Sequence, residues 1–149
     1  MVKQLHIVVH PAIVAPILAA YTALWLAPAS LWFDVRSLQV AQESPGAVPT
    51  VSIDRNIRWS FAGAYTVDVR DFGTGNIACG GGGSHQYLGG LTGIRAFNLV
   101  DFAGEDASCA ALPPDTYTVE ACWTVLYPLW GGLPPKTVCI RSNPFEVVR

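Results

Sequence analysis

From Ile7 to Phe33 the chain carries no Asp, Glu, Lys or Arg, and between Ala12 and Ala27 only Thr22 and the Tyr21 hydroxyl interrupt an apolar run. A helix of that length can cross a hydrocarbon core of about 30 Å, so this stretch decides where everything after it must fold. The expected layout is a cytoplasmic tail at 1–6, a transmembrane helix or uncleaved signal anchor at 7–33, and an extracytoplasmic domain at 34–149. Trp25, Trp32 and Phe33 stand where interfacial aromatics would. Lys3 and the free amino group favour a cytoplasmic N-terminus, although Arg36 on the other flank weakens the bias. Pro11, Pro16 and Pro28 are tolerated better in a span than in a soluble helix. Two other readings fit the same residues. One is a cleaved signal peptide with Ala27-Pro28-Ala29 as its A-x-A-like site; the other is a buried core helix. Under the first two, most of the chain is exported.

The cysteines agree with export. Cys79, Cys109, Cys122 and Cys139 all follow the apolar run, an even number with no C-x-x-C spacing. That pattern suits disulfides in an oxidising compartment better than zinc or thioredoxin-like chemistry. The 34–149 segment holds eight Lys/Arg against eleven acids. With a net charge of about −3 and no basic stripe, nucleic-acid binding is disfavoured.

Eleven prolines and fourteen glycines imply many turns, and the hydrophobic pattern has period two. Val51, Ile53, Ile57, Trp59, Phe61, Tyr65, Val67 and Val69 all occupy odd positions, with mostly polar residues between them. This is β-structure with one buried face. Ala62-Gly63-Ala64 is expected to be a turn or bulge dividing it. A helix over about 7–32 precedes strands near 35–41, 49–59, 64–71, 76–79, 94–101, 115–126 and 136–148. Segments 80–93 and 102–114 are expected as loops. Tyr117, Val119, Ala121, Trp123 and Val125 alternate with polar neighbours, as do Val138 and Ile140. One antiparallel register pairs Trp123 with Val138 and Ala121 with Ile140 on one face. It also sets Glu120 against Arg141, Thr124 against Thr137, and Cys122 against Cys139 on the other. A Cys122–Cys139 disulfide on the solvent face of a hairpin follows. Elimination leaves Cys79 with Cys109.

Leu112-Pro113-Pro114-Asp115-Thr116-Tyr117 resembles the tyrosine corner of immunoglobulin-like sandwiches, and Ser142–Val147 resembles their closing strand. The expected fold is therefore mainly β: an N-terminal transmembrane helix followed by an immunoglobulin-like antiparallel β-sandwich. Trp32-Phe33-Asp34, Val35-Arg36-Ser37, Ile53-Asp54-Arg55 and Leu112–Tyr117 together resemble small single-span membrane proteins of tailed bacteriophages and prophages. That resemblance implies a single-pass inner-membrane protein with its bulk in the periplasm. It implies no activity.

Chemical signatures are sparse. Gly80-Gly81-Gly82-Gly83-Ser84-His85 lacks the Lys and following helix of a phosphate-binding loop and is not a nucleophile elbow, which leaves a flexible linker. His85 is the one histidine after the apolar run, so a catalytic triad would rest on it alone. Asp101, Glu105 and Asp106 offer oxygens for Ca²⁺ without EF-hand spacing, and read as a solvated acidic loop. No catalytic residue, metal site, cofactor or small-molecule substrate is expected. The candidate contact surface is the loop carrying Tyr127, Leu129, Trp130 and Leu133, because aromatic-rich loops favour contacts. An immunoglobulin-like strand order sets this loop at the membrane end. The expected function is a non-enzymatic, membrane-tethered interaction module whose partners are the membrane and an unidentified protein. A secreted or virion structural sandwich, or an envelope hydrolase using Asp residues or His85, are the alternatives.

Overall fold

The computed structural model describes residues 11–126 and 133–148. Helix α1 spans Pro11–Leu26. Pro28 sets its end, since the residue before a proline is pushed out of the helical region. The Ala27 amide closes the last turn on Leu24 O at 3.3 Å. The helix therefore stops short of the expected boundary at 32–33. A 3₁₀ turn at Ala29–Leu31 leads into strand β1, Phe33–Ala41. Phe33 is not an interfacial aromatic: it is wholly buried, with its ring centroid 5.8 Å from Phe61, 5.6 Å from Tyr87 and 5.4 Å from Trp123. Ala29 also belongs to the core, so the folded body begins before residue 34. With 16 residues, α1 is about 24 Å long. No helix among the described residues is long and apolar enough to cross a membrane.

The remainder is mainly β. After β1 come β2 (Thr50–Ile57), β3 (Phe61–Asp71), β4 (Ile77–Tyr87), β5 (Leu91–Asn98), β6 (Asp115–Leu126), β7 (Lys136–Arg141) and β8 (Phe145–Val147). A one-turn helix α2, Leu99–Phe102, and a 3₁₀ turn, Ala107–Ala110, lie between β5 and β6. One sheet has the order β1-β2-β5 and the other β4-β3-β6-β7, with β8 also paired to β6. Every pairing is antiparallel. The odd-numbered apolar residues of β2 and β3 meet those of β6 in one core, with Val51, Val67, Val119 and Val125 fully enclosed.

Two expected breaks fall elsewhere. The β2–β3 turn lies at 58–60, where the Arg58 amide donates to Trp32 O at 2.9 Å and the Gly89 amide to Ser60 Oγ at 2.9 Å. Trp59, expected inward, sits on this turn and is 67% exposed. Gly63 stays inside β3 because a side chain there would meet Phe61 Cε2 at 2.7 Å and Thr124 O at 3.1 Å. Its role is close packing rather than turning. The second revision is larger: Gly80–Gly83 are not a linker but the middle of β4. At Gly81 a Cβ would overlap the Ala103 carbonyl, so the end of α2 packs on the strand only because no side chain intervenes, and at Gly80 and Gly82 a Cβ would meet the Val67 and Tyr65 carbonyls of β3.

The β6–β7 hairpin has the register read from the sequence, Glu120↔Arg141 through Thr124↔Thr137. Arg141 Nη2 reaches Glu120 Oε2 at 3.3 Å, and the Thr124 and Thr137 hydroxyls lie 2.9 Å apart. Beyond Arg141 the strand breaks before Pro144, and Ser142 bridges the gap. Its amide donates to Val119 O at 2.8 Å and its hydroxyl accepts from Val119 N at 2.9 Å. Asn143 then grips the free edge of β1, accepting from Val40 N at 2.9 Å and donating to Val40 O at 3.0 Å. The Tyr117 hydroxyl donates to Pro113 O at 3.0 Å.

Candidate functional site

On the β1 side, the two sheets are joined by these amide clamps and by contact of β1 with β7 and β8. On the opposite side, β2 and β5 form one wall of an open cleft and β3, β4 and β6 the other, enclosing about 340 Å³. The alternation that builds the core also builds this cleft. In β2, Arg55 takes the inward position between Ile53 and Ile57, opposite Gly93 of β5. In β4 the inward positions past the glycines are His85 and Tyr87, opposite Gly63 and Phe61.

Aromatic rings form a ladder along the walls. His85 stacks on Tyr65 at 5.7 Å, Tyr65 on Phe102 at 5.9 Å, and Phe102 on Phe97 at 6.0 Å. Tyr87 stacks on Phe61 at 4.7 Å. Helix α2 holds Phe102 in place because Asn98 caps it, accepting from Asp101 N at 2.7 Å. The Asp101 carboxylate accepts in turn from Asn98 Nδ2 at 2.7 Å.

The electrostatics follow from desolvation. Burial pushes the Tyr87 phenol up to about 12, and Tyr65 adds to the shift, while Arg55 and a hydrogen bond with Trp123 oppose it. Burial also raises the Tyr65 phenol. For Arg55 burial disfavours the charged form and the nearby Arg95 guanidinium adds to that, with Tyr87 opposing. A guanidinium nonetheless stays charged in proteins. Arg55 makes no hydrogen bond or ion pair among the described residues, in contrast to Arg70, which pairs with Asp68 at 2.7 Å and Glu120 at 3.4 Å. Among the described residues the cleft thus has mainly apolar walls, with the Arg55 cation unpaired and the Asp101 carboxylate already bonded to Asn98.

The four cysteines form two disulfides. Cys122–Cys139 bridges β6 and β7 with Cα atoms 4.0 Å apart, and Cys79–Cys109 ties β4 to the 3₁₀ turn with Cα atoms 5.4 Å apart. The first faces solvent and the second is buried. Of the proposed contact loop, Tyr127, Leu129 and Trp130 lie outside the described residues, and Leu133 is half-buried. His85 stacks in the cleft and holds no hydrogen bond to a serine, cysteine or carboxylate among the described residues. The Asp101 carboxylate is engaged by Asn98 Nδ2, and Asp106 caps the 3₁₀ turn, accepting from Ser108 N at 2.9 Å and Gly80 N at 3.3 Å. No group of three His, Cys, Asp or Glu converges among the described residues.

Sequence reasoning missed the cleft. The available signal was Arg55, the one charged residue at an odd position within the otherwise apolar 51–57 alternation. No protein-family model matches the chain, and no curated protein matches it in sequence.

Proposed function

We propose that this chain is a non-enzymatic, membrane-tethered interaction module that displays an immunoglobulin-like sandwich on the extracytoplasmic face of the inner membrane. The observation that carries the reading is α1. It has no ionisable Asp, Glu, Lys or Arg, and its apolar side chains are exposed all round, with Ile13, Ile17, Leu18 and Leu26 each more than half open. A helix that is hydrophobic on every side belongs in lipid or a protein core, and this one has few neighbours in the body. Lys136 Nζ donates to Trp25 O at 2.7 Å, so the helix end meets the body at the start of β7. The oxidised cysteines suit an exported location.

The sandwich reading is supported by strand order. Strands β1, β2 and β5 correspond to A, B and E of such domains, and β4, β3, β6 and β7 to C′, C, F and G. The Tyr117–Pro113 bond has the form of their tyrosine corner. The disulfides depart from the antibody pattern, since neither joins the B and F positions. A cleaved leader fits less well, because cleavage after Ala29 would remove a core residue.

Membrane fractionation of the expressed chain with protease-accessibility mapping tests the reading. The chain is expected in the carbonate-resistant membrane fraction, its body digested only when the outer face is open to protease. Recovery in the soluble fraction with a mature N-terminus at Ser30 would replace the tether with a secreted sandwich.

A further inference from the structure

We infer that the inter-sheet cleft binds a small organic monoanion with a flat apolar body, its carboxylate or equivalent group seated on Arg55. Arg55 is half-buried, and a partly desolvated cation without a counter-charge gives up hydration that nothing among the described residues returns. Here the guanidinium stands between Ile53 and Ile57 with no ion pair among the described residues. Arg95, opposite Ile53 on the neighbouring strand, adds a second positive charge at the same wall. An entering anion satisfies the first and relieves the repulsion between the two. The guanidinium fork also matches a carboxylate through two parallel hydrogen bonds.

The body of the ligand is set by the aromatic lining. Tyr65 and Trp123 on the opposite wall, with Phe97 of β5 and Phe102 of α2 at the far end, give an aromatic surface, and about 340 Å³ is at the lower end of sites for small organic molecules. Asp101, the carboxylate that also lines the cleft, follows the far end of β5 and already accepts from the Asn98 amide. The polarity is therefore directional: the anion lies at the Gly93 end and the apolar body runs toward α2. The inference does not rest on membrane attachment.

Isothermal titration of the full chain in lipid nanodiscs, with empty discs subtracted, compares 2-naphthoate, neutral 2-naphthamide and cationic 2-naphthylmethylammonium. Naphthoate is expected to bind at one site per chain, about tenfold tighter than the amide, as a charge-assisted pair requires. Arg55→Gln should erase that preference, while Arg36→Gln, on the outer face beside Asp54, leaves it intact. Arg55→Lys should keep part of it. If Arg55→Gln does not fold, the salt dependence of the native chain decides. Naphthoate affinity falling with ionic strength, with the amide unaffected, supports the site. Equal binding of acid and amide, tighter binding of the cation, no heat beyond empty discs, or a preference that survives Arg55→Gln or is insensitive to salt would overturn it.

Discussion

Gly81 and Tyr87 illustrate opposite uses of alternate positions on one face of β4. Gly81 leaves room for the Ala103 carbonyl, and a methyl group there has only backbone to displace. Gly81→Ala is expected to destabilise the protein by about 1–3 kcal/mol, the usual cost of overpacking. Gly73→Ala, where the nearest atom would lie at an ordinary 3.5 Å, should be nearly neutral. Urea unfolding of the two variants checks the contrast. Tyr87 instead carries a polar group into the core. Its phenol is held neutral up to about 12, against 10.0 for an ordinary phenol. The folded state thus keeps a proton that the unfolded chain releases, so the stabilisation is complete below pH 10.0 and is lost as pH rises toward about 12. Tyr87→Phe should lose less stability than the native chain across that window in pH-dependent denaturant melts.

The β6–β7 hairpin and β4 differ in how much of them the chain announces. In the hairpin, each side chain has a partner of matching size or charge, and one register satisfies all of them at once, which is why pairing could be read residue by residue. Strand β4 has no such pattern, because its glycines contribute space rather than side chains. What demands Gly81 is Ala103, more than twenty positions along the chain, and what demands Gly80 and Gly82 is the β3 backbone at Val67 and Tyr65. The end of α1 was legible in Pro28, but the uncharged run to Phe33 masked it; Phe33 is apolar because it serves the core. The cleft was half legible. Arg55 breaks an apolar alternation in plain view, yet its lack of a partner depends on what faces it across the sheets, which no local pattern encodes. The disulfides differ as elements too. Cys139 is exposed, whereas Cys79 and Cys109 are both buried. Mild reductant should open Cys122–Cys139 first, since exchange requires access, as alkylation and peptide mass mapping would reveal. Replacing Cys79 and Cys109 together should cost about 3–4 kcal/mol for a loop of 30 residues.

Taken as a unit, the chain combines an apolar helix, a two-sheet body clamped along one side, and a gap along the other. The amide clamps from Asn143 and Gln42 close the β1 edge, with Gln42 both donating to Val148 O at 3.0 Å and accepting from Val148 N at 2.8 Å. The β5 side is spanned by the β4–β5 turn near Gly90, whose amide donates to Ile57 O at 2.7 Å, and by Phe102 of α2 stacked between Phe97 and Tyr65. Between α1 and the 3₁₀ turn that enters the core there are just two residues, Ala27 and Pro28, and Lys136 fastens the helix end to β7. Such a joint has no slack. Tilt or rotation of the helix is transmitted to the sheets as a lever arm transmits torque, so whatever holds the helix also fixes the compass bearing of the cleft mouth.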